Sequence, residues 1–104
     1  MTQKKETVLP EDSIERAALV LKTLGHPIML KILLTLQKGE SSVAEIQKKI
    51  GEEQTITSIY LRKMLKRGIV KYRKEGRWHY YSLTDDPTVQ NLKYVTNALL
   101  KSKS

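Results

Sequence analysis

Cysteine is absent from this 104-residue chain. That excludes a disulfide framework, a thiolate-bound metal, a cysteine nucleophile and a thiol redox switch. Long apolar runs are missing too: Ile32-Leu33-Leu34 is bounded by Lys31 and Thr35, far short of the ~20 residues that span a bilayer. Met1 to Glu6 leads into no apolar stretch of signal-peptide length. Histidine is scarce, with only two residues, in different stretches of chain. There is no phosphate-binding glycine loop, no His-Glu-x-x-His and no evident carboxylate cluster, so a nucleophile-and-base pair is hard to assemble. The expectation is a soluble, cytoplasmic protein that is not an enzyme, with no metal site and no cofactor.

Acidic residues are the other scarcity. Eleven Asp and Glu stand against nineteen Lys and Arg, a net charge of +8. The excess is concentrated. Between Gln54 and Tyr81 lie Arg62, Lys63, Lys66, Arg67, Lys71, Arg73, Lys74 and Arg77, with Glu75 the only acid, so about a quarter of the chain carries +7. A charge serving solubility alone would be spread more evenly. An anionic partner is implied, either nucleic acid or a membrane surface.

The length suits one domain, placed over residues 11–101, with a loose segment at 1–10 and a polar tail at 102–104. A first helix is expected over Glu11–Leu24, where Ile14, Ala17, Ala18, Leu21 and Leu24 recur at helical spacing. Gly25 would end it in the left-handed conformation. A second starts at Pro27, a residue suited to a first helical position, and runs to Lys38 with Gly39 as cap; it is apolar nearly all round and so belongs at the centre of the core. A third covers Val43–Ile50, with Ser42 and Glu45 as a capping box. A fourth begins near Gln54 or Thr55 and runs to Arg67. The period then changes to two. Ile69–Arg73 and Arg77–Leu83 read as strands joined by a tight turn at Glu75-Gly76. Pairing Lys74 with Arg77 sets Val70 opposite Tyr81 and Tyr72 opposite His79, on one buried face with Leu83. Asp86 and Pro87 open a last helix, with Val89, Leu92, Val95 (or Thr96) and Leu99 as its stripe.

The fold class is therefore mainly α with a small antiparallel β-hairpin: about five helices and a wing. Two helices across a short glycine-containing turn make a helix-turn-helix, and a hairpin directly after its second helix makes a winged helix. A helix fits the ~12 Å major groove of DNA, the preceding helix braces it across the backbone, and the hairpin tip offers cations alongside.

Three segments carry a family resemblance. Leu24-Gly25-His26-Pro27-Ile28-Met29-Leu30-Lys31-Ile32-Leu33, Leu61-Arg62-Lys63-Met64-Leu65-Lys66-Arg67-Gly68-Ile69-Val70 and Arg73-Lys74-Glu75-Gly76-Arg77-Trp78-His79-Tyr80-Tyr81-Ser82-Leu83 resemble the ArsR-type (arsenic-repressor-like) winged-helix regulators. The resemblance spans about Leu21 to Leu83. It implies a homodimeric DNA-binding repressor of five helices, with the first and last helices forming the dimer interface. The chain also departs from the family pattern. Ser41-Ser42-Val43-Ala44-Glu45 stands where many members place a metal-binding cysteine pair, and Pro87–Leu100 contains no histidine for a last-helix zinc site. Thr57 replaces a usual aliphatic residue, Ile59 and Tyr60 replace polar groups or histidine, and Glu52-Glu53 add negative charge beside the helix start.

The expected DNA contacts are Gln54, Thr55, Ser58, Ile59, Arg62, Lys63 and Lys66 on the second helix of the motif, and Arg73, Lys74 and Arg77 on the wing. Any one of them could touch phosphate rather than a base edge; Arg62 is the best candidate for bidentate pairing with guanine. Thr57, Leu61 and Met64 share one helical face and belong to the core. His26 and His79 read as capping or packing residues. Trp78 and Tyr80, on the opposite strand face, either pack the wing or meet DNA or a partner. Ile14, Ala17, Ala18 and Leu21, with Val89, Leu92, Val95 and Leu99, form the expected homodimer interface, since one small sheet and the central helices cannot cover both stripes. The partners expected are double-stranded DNA, a second copy, and an unidentified small-molecule or protein effector, without a membrane. A protein-protein adaptor is the alternative; it needs Ile59/Tyr60 and Trp78/Tyr80 to face outward.

Overall fold

Pro27 dictates the first break in the chain. The residue before a proline is forced toward extended backbone, and His26 takes φ −97°, ψ 120°. Its ring Nδ1 accepts the amide hydrogen of Ile28 at 3.2 Å, so it caps the helix that Pro27 begins. The break therefore belongs to His26-Pro27. Gly25 is right-handed (φ −78°), not left-handed as expected from its place after Leu24.

The structure, a computed structural model, describes residues 9–101. Most of the expected loose segment and the whole 102–104 tail lie outside them. Five helices and three strands follow in the order α1 (Glu11–Leu24), α2 (Pro27–Leu36), β1 (Ser41–Ser42), α3 (Val43–Ile50), α4 (Gln54–Lys66), β2 (Val70–Glu75), β3 (Trp78–Leu83) and α5 (Pro87–Lys101). The second helix thus stops two residues before Lys38, and β1 is an element the hydropathy pattern does not announce. It pairs antiparallel with β3, giving the order β1-β3-β2. No single helix among the described residues is long and apolar enough to cross a membrane.

The core gathers where α2, α3, α4 and the hairpin base meet. Ile32, Leu33, Ile46, Leu61, Met64 and Ile69 are fully buried, and Met29, Leu36, Val70 and Val89 nearly so or completely. Thr57 joins them although it carries a hydroxyl. Its Oγ1 donates to the carbonyl of Glu53 at 2.9 Å, so a polar atom enters the core already satisfied. The Ser42–Glu45 capping box forms as expected: the Ser42 hydroxyl accepts the Glu45 amide at 3.1 Å and the Glu45 carboxylate accepts the Ser42 amide at 2.8 Å.

The hairpin register differs from expectation. The two loop residues are Gly76 and Arg77, and the pairs are Glu75–Trp78, Lys74–His79, Tyr72–Tyr81 and Val70–Leu83. Gly76 has φ +61°, and among the described residues no non-glycine residue has positive φ. Glycine at the first loop position is what a type II′ turn requires, whereas a Glu75-Gly76 loop would place it second. Moving the loop by one residue shifts each partner by two, so the sharing of faces survives while the opposite numbers change. Only the base of that face is buried, by Val70 and Tyr81; Tyr72 and His79, on the distal half of the hairpin, are exposed.

The expected dimer stripes divide in the same way. Val89 and Leu92 are buried, with Thr96, within the protomer's own fold, and so offer little or no surface to a second copy. They are the foot by which α5 is held. Ile14, Ala17, Ala18, Leu21, Val95 and Leu99 are exposed. The radius of gyration is 16.0 Å, against about 13 Å for a compact domain of ~100 residues; the molecule is elongated, 55 × 38 × 23 Å.

One cluster ties α1, the end of α4 and the start of α5 together. Arg16 of α1 donates to the carbonyl of Arg67 at 2.6 Å and to the Asp86 carboxylate at 3.1 Å. Arg67 turns inward and donates to the Thr23 hydroxyl at 2.8 Å. Arg67 is thus a structural cation, withdrawn from the basic surface to which its sequence position assigns it. Asp86 also accepts the Thr88 amide at 2.8 Å. That bond first, then Arg16, holds its carboxyl below the usual carboxylate range.

Two outcomes follow. Ser42→Ala should lower the stability by about 1 kcal/mol through loss of the cap, read as a lower urea midpoint at unchanged slope. Asp86 binds its proton less tightly folded than unfolded. Its stabilising contribution is therefore complete above about pH 5 and disappears as the pH falls through its lowered value. Asp86→Asn should flatten the acid limb of a stability-against-pH curve while leaving a cap acceptor in place.

Candidate nucleic-acid interface

Three residues set the rotation of α4. Thr57, Leu61 and Met64 are fully buried, so the residues at intervening turns must face out. Gln54, Thr55, Ile59, Arg62, Lys63 and Lys66 are exposed and Ser58 is half-buried. Gly51, with φ +72°, closes α3 in the left-handed conformation, and Glu52 and Glu53 carry the chain into α4. Glu53 makes no side-chain cap.

Among the described residues no carboxylate lies within 4.0 Å of Arg62, Lys63, Lys66, Lys74 or Arg77. These cations are therefore available to an external anion. Lys63 rests its ammonium 5.1 Å from the Tyr60 ring centre and Arg77 lies over Trp78 at 5.7 Å; neither contact neutralises the charge.

Arg73 differs from the other expected contacts. Its guanidinium donates to both oxygens of Glu40, at 2.9 and 3.0 Å, and to Glu75 at 2.7 Å, and it lies 4.5 Å over the Tyr80 ring. The Arg73 hydrogen bond is the chief reason the Glu40 carboxyl sits below its usual range. Two acids hold this cation, so a phosphate must compete for it. Glu40 follows Gly39 and lies 33 positions from Arg73; nothing in the local pattern of either residue announces the pair. Lys71 is more loosely engaged, 3.8 Å from Asp85.

The aromatic residues separate into two sets. Tyr60 is half-buried, its ring centre 4.5 Å from that of His26, and Tyr80 is half-buried beneath Arg73. Neither offers the open surface that an adaptor would need. On the other wing face Tyr72 stacks with His79, ring centres 5.6 Å apart, and its hydroxyl is hydrogen-bonded to His79 Nδ1 at 2.7 Å. Tyr72 also meets Tyr81 at 5.3 Å. Burial raises the Tyr81 hydroxyl above its ordinary pKa. This ladder stiffens the projecting hairpin. Trp78 remains half exposed beside the tip.

Residues 26–72 match a family model described as bacterial regulatory protein, arsR family. The chain is 36% identical over 85 residues to an uncharacterised HTH-type transcriptional regulator of Methanocaldococcus jannaschii, covering 81% of this chain and 96% of the relative. It is 39% identical over 92 residues to the biofilm growth-associated repressor of Xylella fastidiosa, covering 86% and 77%. Among solved structures it resembles the homodimeric winged helix-turn-helix DNA-binding domain of a Mycobacterium bovis protein described as a possible ArsR-family regulator. The TM-score is 0.78 at 25% identity, with 95% of this chain and 91% of that one covered.

Releasing Arg73 should be measurable. Glu40→Gln should strengthen binding to any duplex and steepen the dependence of log K on log salt by about 0.9 per protomer, one further phosphate contact. An unchanged slope in a fluorescence-anisotropy salt titration would mean that loss of the Glu40 charge, with Glu75 still 2.7 Å away, does not free Arg73 for a phosphate.

Proposed function

The chain belongs to the arsR family of bacterial regulatory proteins, and from that premise we propose that it is a transcriptional repressor acting as a homodimer on a near-palindromic operator in double-stranded DNA. The observation that carries this is the row Arg62, Lys63 and Lys66, without a carboxylate partner among the described residues, on the solvent side of the second helix of a helix-turn-helix, with Lys74 and Arg77 on the hairpin beside it. α4 enters the major groove and the wing lies along the neighbouring backbone.

Dimerisation uses the surfaces of α1 and α5 that the protomer leaves uncovered. Leu21 and Leu99 are 61% and 63% exposed, and Ile14, Tyr94, Val95 and Leu100 are exposed with them. Apolar area of this extent on projecting helices is the mark of a protein interface. A two-fold axis there presents two copies of α4 to half-sites about one DNA turn, ~34 Å, or a multiple apart. A small molecule or a second protein that alters the relation of the two protomers would release the operator; with no cysteine in the chain, a thiolate-bound metal is not that signal.

Selection of bound duplexes from a random pool supplies the operator. On it, four phosphates neutralised per protomer give a slope of log K against log salt of about −7. Arg62→Ala should bring cognate and random duplexes closer in affinity, whereas Lys74→Ala should weaken both alike. A slope near zero would exclude the backbone contacts. Leu99→Glu should yield monomers in sedimentation analysis and lose operator binding, without unfolding, because Leu99 lies outside the protomer core.

A further inference from the structure

One residue on the solvent face of α4 cannot serve the role of its neighbours. Ile59 stands four residues after Thr55, three before Arg62 and four before Lys63, so it shares their helical face. It is 37% exposed, while the core face of the same helix is completely covered. It can neither donate nor accept a hydrogen bond, and it bears no charge. With Arg62, Lys63, Leu65 and Lys66 it lines a shallow depression on this surface. The rim of that depression is cationic and, among the described residues, free of carboxylate partners, which suits an anionic polymer and disfavours an apolar protein surface.

Within the major groove the base edges present hydrogen-bond donors and acceptors, and the one apolar group that projects from them is the C5 methyl of thymine, where cytosine has only a hydrogen. An aliphatic side chain pressed on any other edge leaves that edge's polar atoms without water and without a partner, which is unfavourable. We propose that Ile59 is a specificity-determining residue that reads a thymine methyl in each half-site, with Arg62, Lys63 and Lys66 holding the helix over it. The inference rests on the DNA-binding reading and adds to it the chemistry of one base.

The test uses the duplex selected by the wild-type protein, with each thymine of a half-site replaced singly by deoxyuridine, which removes the methyl and leaves Watson–Crick pairing intact. Affinity is measured at fixed salt for the wild type, Ile59→Ala and Ile59→Val. At one position per half-site the wild type should lose about four-fold, the effect of a single buried methyl. Ile59→Val should keep most of that difference, and Ile59→Ala should bind the thymine and deoxyuridine duplexes equally. Lys74→Ala, which lies on the wing and weakens all duplexes alike, should retain the difference. The proposal is overturned if no thymine position matters to the wild type, or if Ile59→Ala discriminates as well as the wild type does. A wild-type protein that binds the selected and random duplexes alike overturns it together with the DNA-binding reading, and that result needs no deoxyuridine.

Discussion

Burial of Thr57, Leu61 and Met64 against the core governs what the rest of this molecule can do. A helix has one rotation about its axis, and once three side chains on one face are enclosed, the opposite face is determined. Gln54, Thr55, Ile59, Arg62, Lys63 and Lys66 are presented to solvent because Thr57, Leu61 and Met64 are not. Thr57 is the delicate member, since a hydroxyl in an apolar core is costly without a partner. The Glu53 carbonyl supplies one at 2.9 Å, and the helix keeps its setting.

The wing follows a different constraint. Its base is in the core through Val70 and Tyr81, but its outer half is exposed. A two-stranded ribbon alone is marginally stable in water. Here the Tyr81–Tyr72–His79 ladder braces one face, and Arg73, between Tyr80, Glu40 and Glu75, braces the other. The same guanidinium that stiffens the hairpin is paired with two carboxylates, which separates Arg73 from Lys74 and Arg77 although the three lie within five residues. Basic residues near one another in sequence thus divide into structural and available cations. Arg67 and Arg16 belong to the first group, for their guanidinium groups join α1 to the end of α4 and the start of α5.

α1 and α5 are secured by few contacts and carry apolar residues outward. That arrangement leaves the protomer incomplete in the manner of half an interface. The helix-turn-helix and the uncovered apolar faces of α1 and α5 lie on separate elements, and the Arg16–Arg67–Asp86 cluster is one hydrogen-bonded link between them.

Local chemistry determined the elements. Pro27, the Ser42–Glu45 box, Gly51 and Gly76 act through their own backbone or that of residues three or four away, so helix starts, the end of α3 and the existence of the hairpin could be read directly, as could the buried face of α4 from its spacing. The family segments were legible for the same reason: each is a short contiguous run. The hairpin register is also local in origin: two adjacent two-residue loops satisfy the same strand pattern, and only the place of Gly76 in the turn separates them. Tertiary structure alone decided that Val89 and Leu92 close the protomer while Val95 and Leu99 face out, since one amphipathic stripe looks identical whether a neighbour is in the same chain or another. And it alone paired Arg73 with Glu40 and turned Arg67 inward, because an ion pair or a hydrogen bond between residues more than thirty positions apart depends on where the fold brings them, which no local pattern records.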